Sequence, residues 1–150
     1  MSRGEAQQFI DAYFRRYPRI RAFMNQCIAD ARRDGFVRTI HGRRRPIPDI
    51  DSRNPAAKAQ AERLAINTVI QGSAADLIKA AMIKLHRRIQ QEQLPLRMLL
   101  QVHDELVFEG PAAQVERLGE VIREVMTHAL PLRVPLKVDL AAGSNWLEAK

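Results

Sequence analysis

Residues 96 to 110 read Leu-Arg-Met-Leu-Leu-Gln-Val-His-Asp-Glu-Leu-Val-Phe-Glu-Gly. Two short apolar runs, Leu96 to Val102 and Leu106 to Phe108, are interrupted by His103-Asp104-Glu105. Apolar runs this short, rich in branched and aromatic residues, predict strands, so the stretch reads as a tight hairpin with acidic groups at its tip. Acids at the junction of strands that ought to be buried need a compensating partner. A magnesium ion fits, because it takes hard oxygen ligands, often one or two carboxylates, and leaves positions for waters and substrate phosphates. Consecutive strand residues point to opposite faces, so both acids reach one ion only if the turn rotates the backbone. Asp104 is therefore the expected direct ligand and Glu105 an auxiliary. The competing reading of an Asp-Glu pair is a solvated turn that binds nothing. His103 can donate to a phosphate or sugar, orient a carboxylate, or be purely structural. No second histidine or carboxylate lies at zinc-site spacing around it, which leaves a metal hydrolase poorly supported.

Working back from the hairpin, Asn54-Pro55 supplies a cap and a first helical residue, and a helical pattern runs from there to about Gln71. Gly72 is expected to break or kink it, with Ser73 and Asp76 restarting a helix that carries Leu77, Ile78, Ala81, Met82 and Leu85. On this helix Arg63, Asn67 and Gln71 recur every four residues and share a polar face. All three donate hydrogen bonds, and the DNA minor groove offers acceptors in nearly the same place for every correct pair. Such donors can test pair geometry without reading sequence; an ordinary solvated helix face is the alternative.

Near the start, Ser2 and Glu5 have capping-box spacing before Phe9, Ile10, Tyr13 and Phe14. A second apolar stripe, Ile20 to Ala31, follows Pro18 and stops at Gly35. Each of these two helices is expected to bury one face. Phe36 to Ile40, His41-Gly42 and Arg43-Arg44-Arg45 then read as an exposed basic hairpin or loop, either a phosphate contact or a solvated turn. Beyond the acidic hairpin, Val115 to Met126 predicts a helix ended by Pro131, and Leu136 to Leu140 a last strand. The predicted sheet contains the 96–109 hairpin and that last strand, covered by the helix near 113–129 and part of the long helix. The class is α+β.

Lys and Arg outnumber Asp and Glu by 24 to 17, a net charge of +7 that suits a polyanionic partner without identifying one. No run approaches membrane-spanning length and the first residues lack signal-peptide anatomy, so the expected location is the cytoplasm, with no membrane partner. The one cysteine, Cys27, has no partner at metal spacing and reads as a small core residue. Trp146, Tyr13 and Tyr17 receive no site role.

Taken in order, these pieces resemble the last part of the family A DNA polymerases along nearly the whole chain. Gln101-Val102-His103-Asp104-Glu105-Leu106-Val107-Phe108-Glu109 is similar to that family's final catalytic motif, in which the Asp binds catalytic magnesium at a palm hairpin. Glu62 to Asp76 resembles the helix lining the primer–template duplex, whose Arg, Asn and Gln match Arg63, Asn67 and Gln71. The family's His near the primer terminus matches His103. Gly42-Arg43-Arg44-Arg45 with Pro48-Asp49-Ile50 fits its basic hairpin, and Gly143-Ser144-Asn145-Trp146 is similar to its C-terminus.

The resemblance implies the C-terminal part of a right-hand palm with adjoining fingers helices, a small antiparallel sheet packed with helices. Residues 1–53 would be fingers-side helices and the basic hairpin, and residues 54–150 palm with the acidic hairpin. The implied activity is DNA-directed DNA polymerase, a nucleotidyltransferase of replication and repair, with Asp104 and Glu105 catalytic and metal-binding. Arg43, Arg44, Arg63, Asn67, Gln71 and His103 would bind nucleic acid. The cofactor would be Mg2+, and the partners primer–template DNA, deoxynucleoside triphosphates and the missing upstream polymerase segment. Nothing in the chain, including Asp11, Asp30, Asp34 and Asp139, matches the family's upstream metal-binding Asp or its nucleotide-gripping fingers helix. The expectation is thus a C-terminal fragment, with a catalytically inactive DNA-binding remnant as the alternative. An unrelated basic α+β domain would require four ordered motifs to coincide.

Overall fold

Two of the expected helix starts are built on side-chain caps. In the computed structural model, which describes residues 2–149, Ser2 Oγ accepts from the Glu5 amide at 3.3 Å. The Ser2 amide donates back to Glu5 Oε2 at 2.6 Å, opening α1 (Arg3–Arg16). Asn54 Oδ1 accepts from the Ala56 amide at 2.9 Å, with Pro55 at the first position of α3 (Pro55–Gln91). Between them α2 (Pro18–Asp34) closes on Gly35, whose φ of 74° is left-handed and whose amide donates to the Ala31 carbonyl at 2.9 Å. Strands β1 (Phe36–Arg38) and β2 (Arg44–Pro46) form the basic hairpin; β3 (Arg97–Val102) and β4 (Glu105–Glu109) form the acidic one. A 3-10 turn at Ala112–Gln114 leads into α4 (Val115–Thr127). No helix among the described residues is long and apolar enough to cross a membrane.

The chain divides into two compact units, one up to Ala74 and one from Ala75, with α3 contributing to both. The first unit centres on Ala31, Val37, Ile47, Ile50, Ala61 and Ala65. Ala61 and Ala65 of α3 are buried in this cluster, and Arg32 of α2 pairs with Glu62 at 2.6 Å. Cys27 is buried, as expected, and burial, more than the nearby Asp30 carboxylate, pushes its thiol up. The second unit centres on Leu85 and Ile89 of α3, Leu94, Leu96, and Leu118, Ile122 and Val125 of α4. Met98, Leu106 and Phe108 of the hairpin pack against that cluster, so α4 and the end of α3 cover the sheet as the sequence predicts.

Two expectations fail, and of the break or kink expected at Gly72 the break does not occur. The long helix does not break at Gly72: α3 is continuous, and the Ser73 hydroxyl donates back to the Val69 carbonyl at 2.5 Å instead of capping a new helix. Gly72 is there for clearance, as described below. Residues 136–140 form no strand; the two sheets have two strands each. Alternation reports what a strand would bury, but a ladder also needs a free edge within reach, which local sequence does not encode. Finally, α1 buries no residue, and Phe9, Ile10, Tyr13 and Tyr17 are exposed. Its aromatic stripe packs on itself and beneath a cation: Tyr13 lies edge-on to Phe14 with centroids 5.4 Å apart, and Arg21 sits 4.1 Å over the Phe14 ring. Only the later part of α2, at Cys27 and Ala31, reaches the core.

Candidate nucleic-acid interface and acidic turn

On α3 the buried positions of the first unit are Ala61, Ala65 and Thr68, a stripe at intervals of four and three. Arg63, Asn67 and Gln71 lie on another stripe of the same helix and all three are exposed, so the structure brings these donors onto one open face. In the same unit the basic hairpin pairs Phe36 with Pro46, Val37 with Arg45, and Arg38 with Arg44. Val37 turns inward, leaving Arg43, Arg44 and Arg45 exposed. Arg38 and Arg44 stack on the Phe36 ring, their guanidinium carbons 4.8 and 5.0 Å from its centroid. Two like charges thus share one aromatic ring.

At the base of this hairpin Asp34 offsets the charge. The Arg33 guanidinium, bonded to it at 2.8 and 2.9 Å, holds its carboxyl below the usual carboxylate range, and Arg38 and Arg44 add to the effect.

In the second unit, the last pair of the acidic hairpin is Val102 with Glu105, which leaves a two-residue turn of His103 and Asp104. His103 takes a left-handed φ of 53°, a conformation uncommon outside glycine. Gln101 Nε2 donates to the His103 carbonyl at 2.9 Å and braces the turn. Further back the ladder carries a bulge: Met98 faces Phe108 but Leu100 faces Val107, leaving Leu99 unpaired.

His103, Asp104 and Glu105 are thereby brought together, all exposed. The sequence argument that buried acids need a partner therefore does not apply at the tip, since water solvates both carboxylates. Among the described residues no group of three or more His, Cys, Asp or Glu side chains could hold a metal ion. The two acids offer oxygen donors of the type magnesium takes, but only part of a coordination shell.

Sequence reasoning missed Gln101 as a brace and the trio Thr39, Gly72 and Ser73, which seats the basic hairpin on α3. The Ile40 amide donates to Ser73 Oγ at 2.9 Å across 33 residues, a separation that leaves no local signal.

The family model for DNA polymerase family A matches residues 1–148. DNA polymerase I of Bacillus caldotenax is 51% identical over the whole chain, and the thermostable DNA polymerase I of Thermus aquaticus is 47% identical over 97% of it. The chain spans 17% of the length of each of these relatives. A solved structure, the POL domain of Pol1 from M. smegmatis in complex with DNA primer-template and dNTP, superposes with a TM-score of 0.94 at 43% identity. That match covers 99% of this chain and 26% of the other. With a polymerase model matching nearly every residue and a polymerase domain sharing its fold, the chain belongs to DNA polymerase family A.

Proposed function

We propose that this segment is the duplex-gripping and acid-bearing part of a DNA-directed DNA polymerase, residues 1–53 standing on the fingers side and residues 54–150 in the palm. The observation that carries the reading is the exposed two-residue turn of His103 and Asp104, with Glu105 beside it, in a chain whose fold matches a polymerase domain described with primer-template and dNTP.

In the reaction, the primer 3′-hydroxyl loses its proton to solvent water as its oxygen bonds to the α-phosphorus of a deoxynucleoside triphosphate, the bond to the bridging oxygen breaks, and pyrophosphate leaves with the displaced electron pair. Asp104, aided by Glu105, would hold magnesium, which would supply neutralisation of the charge on the reacting phosphate. The residues of this chain do the rest by positioning. Arg43 and Arg44 bind backbone phosphates; Arg63, Asn67 and Gln71 donate to minor-groove acceptors common to all correct pairs. His103 donates to a phosphate or sugar oxygen near the primer terminus. Further carboxylates come from polymerase residues outside these 150, and the enzyme works in the cytoplasm on the nucleoid.

The test is primer extension. The purified chain should bind primer–template without extending it. Supplying the upstream palm and fingers of a family A relative, fused or as a second chain, should produce magnesium-dependent extension that Asp104→Asn abolishes while DNA binding persists. Efficient extension by the chain alone, lost on Asp104→Asn, would show that the segment carries a complete site and that this account of it is wrong.

A further inference from the structure

Thr39 is the hub of the basic turn. Its amide donates to the Arg43 carbonyl at 3.0 Å, its carbonyl accepts from the Gly42 amide at 2.8 Å, and its hydroxyl accepts from the Arg43 amide at 3.2 Å. These bonds fix the side-chain rotamer, and the remaining methyl points at α3. A Cβ on Gly72 would lie 2.7 Å from that methyl and 3.8 Å from the Thr68 methyl, so the glycine is a notch that Thr39 fills. Thr68 lines the notch with its methyl only, its hydroxyl having no hydrogen-bond partner among the described residues. One residue further along each segment, Ser73 Oγ accepts from the Ile40 amide at 2.9 Å while donating to Val69 at 2.5 Å. The hydroxyl is thus committed in both directions. A methyl in a notch sets how close the turn comes to the helix, and a backbone hydrogen bond sets where along the helix it sits.

We propose that Thr39, Gly72 and Ser73 are positioning residues, a clasp that holds the phosphate-binding arginines of the basic turn in register with the donor stripe Arg63, Asn67 and Gln71 of the same helix. Phosphates and minor-groove acceptors of one duplex stand at fixed offsets, so the two sets of protein groups engage together only if their supports are fixed relative to each other. Thr39 and Ser73 touch no DNA in this scheme; they act through Arg43 and Arg44. The inference rests on the reading that this hairpin meets DNA.

The experiment measures binding of primer–template to the 150-residue chain as a function of salt, together with amide hydrogen exchange. Arg43→Ala/Arg44→Ala should reduce the slope of log K against log salt by about 0.9 for each phosphate that is no longer neutralised. Ser73→Ala and Gly72→Ala should each reproduce a reduction equivalent to about one phosphate, and Ser73→Thr, which keeps the hydroxyl, should restore the parent slope. In the Arg43→Ala/Arg44→Ala background, Ser73→Ala should change the slope no further. Exchange at the Ile40 amide should quicken by roughly three- to ten-fold in Ser73→Ala, as for removal of one ordinary hydrogen bond, while the Thr39 and Gly42 amides keep their protection. If removing the arginines leaves the slope unchanged, the DNA reading of the hairpin fails and the clasp's role with it. If the arginines matter but Ser73→Ala and Gly72→Ala keep the parent slope, the positioning role alone is overturned. Loss of helical circular dichroism in both variants would make the clasp a folding element and also overturn it.

Discussion

The two hairpins differ in how their tips are held, and the difference matches their charges. The basic turn is anchored to a helix through Thr39, Gly72 and Ser73, and its cations share an aromatic ring. Among the described residues the acidic turn is braced from within its own hairpin, by Gln101 on the His103 carbonyl, and stands exposed. Arginines that meet a row of phosphates need a fixed platform more than individual aim, because the partner repeats along the strand. Carboxylates that serve a metal need several oxygens converging on one point, and two adjacent acids on a solvated turn do not converge by themselves. On the proposed function, the basic hairpin would be complete as a binding element, whereas the acidic hairpin would contribute to a centre finished by other residues.

The largest effect that sharpens this contrast belongs to the acids. In the assembly with the upstream palm and fingers of a family A relative, Asp104→Asn should cost many powers of ten in extension rate and Glu105→Gln far less, read by single-turnover primer extension. Equal losses would mean that the two acids share one role. Next come the supports of the acidic hairpin. Leu118 is 3% exposed in the cluster beneath β3 and β4, and Leu118→Ala should lower stability by about 2–5 kcal/mol in urea unfolding. A loss well below that would mean the hairpin does not depend on this core.

The donor stripe should respond more modestly. Arg63→Ala and Gln71→Ala should each weaken primer–template binding by about 1–3 kcal/mol with the salt slope retained, unlike the hairpin arginines. Identical salt slopes and affinities for all these variants and the parent would reduce the face to solvated helix. The smallest effect is acid-dependent. Asp34 has a folded pKa below its unfolded value, so the stability it contributes is present above the unfolded carboxylate pKa and is lost as pH falls through the lowered folded one. Arg33, Arg38 and Arg44 then face one another without it, and Asp30, paired with Arg33 at 3.0 Å, is the other nearby acid. Amides of residues 36–46 should lose exchange protection at acid pH, and Asp34→Asn should bring that loss to neutral pH. A parent hairpin indifferent to acid would remove Asp34 from its support.

What was legible in the sequence was local. Ser2 with Glu5, Asn54 with Pro55, and Gly35 each marked a helix end because capping chemistry lies within a few residues of the backbone it satisfies. Both hairpins were legible from apolar runs around polar turns. Gly72 was misread because a glycine inside a helical pattern looks the same whether it breaks the helix or clears room for a neighbour, and the neighbour, Thr39, is remote in sequence. Residues 136–140 and the apolar stripe of α1 were misread for a related reason. Periodicity states which side chains would be buried together, and says nothing about whether a surface waits for them. The exposed stripe 63–67–71 was legible because helical spacing alone places it; the clasp beside it was not, because it exists only once two segments have met.

The bulge at Leu99 has a genetic consequence. Five pairs hold β3 to β4, and Leu99 takes part in none of them, so it is a spare letter in the strand. A gene that lost this one codon would still write Leu100 opposite Val107, Gln101 opposite Leu106 and Val102 opposite Glu105, and the turn would still begin at His103. A codon lost from the partner strand at Val107 has no such spare to absorb it, and the phase of every later pairing would slip. A single-codon deletion scan across residues 97–109, scored for folded protein, should therefore show tolerance next to the bulge and intolerance in the partner strand.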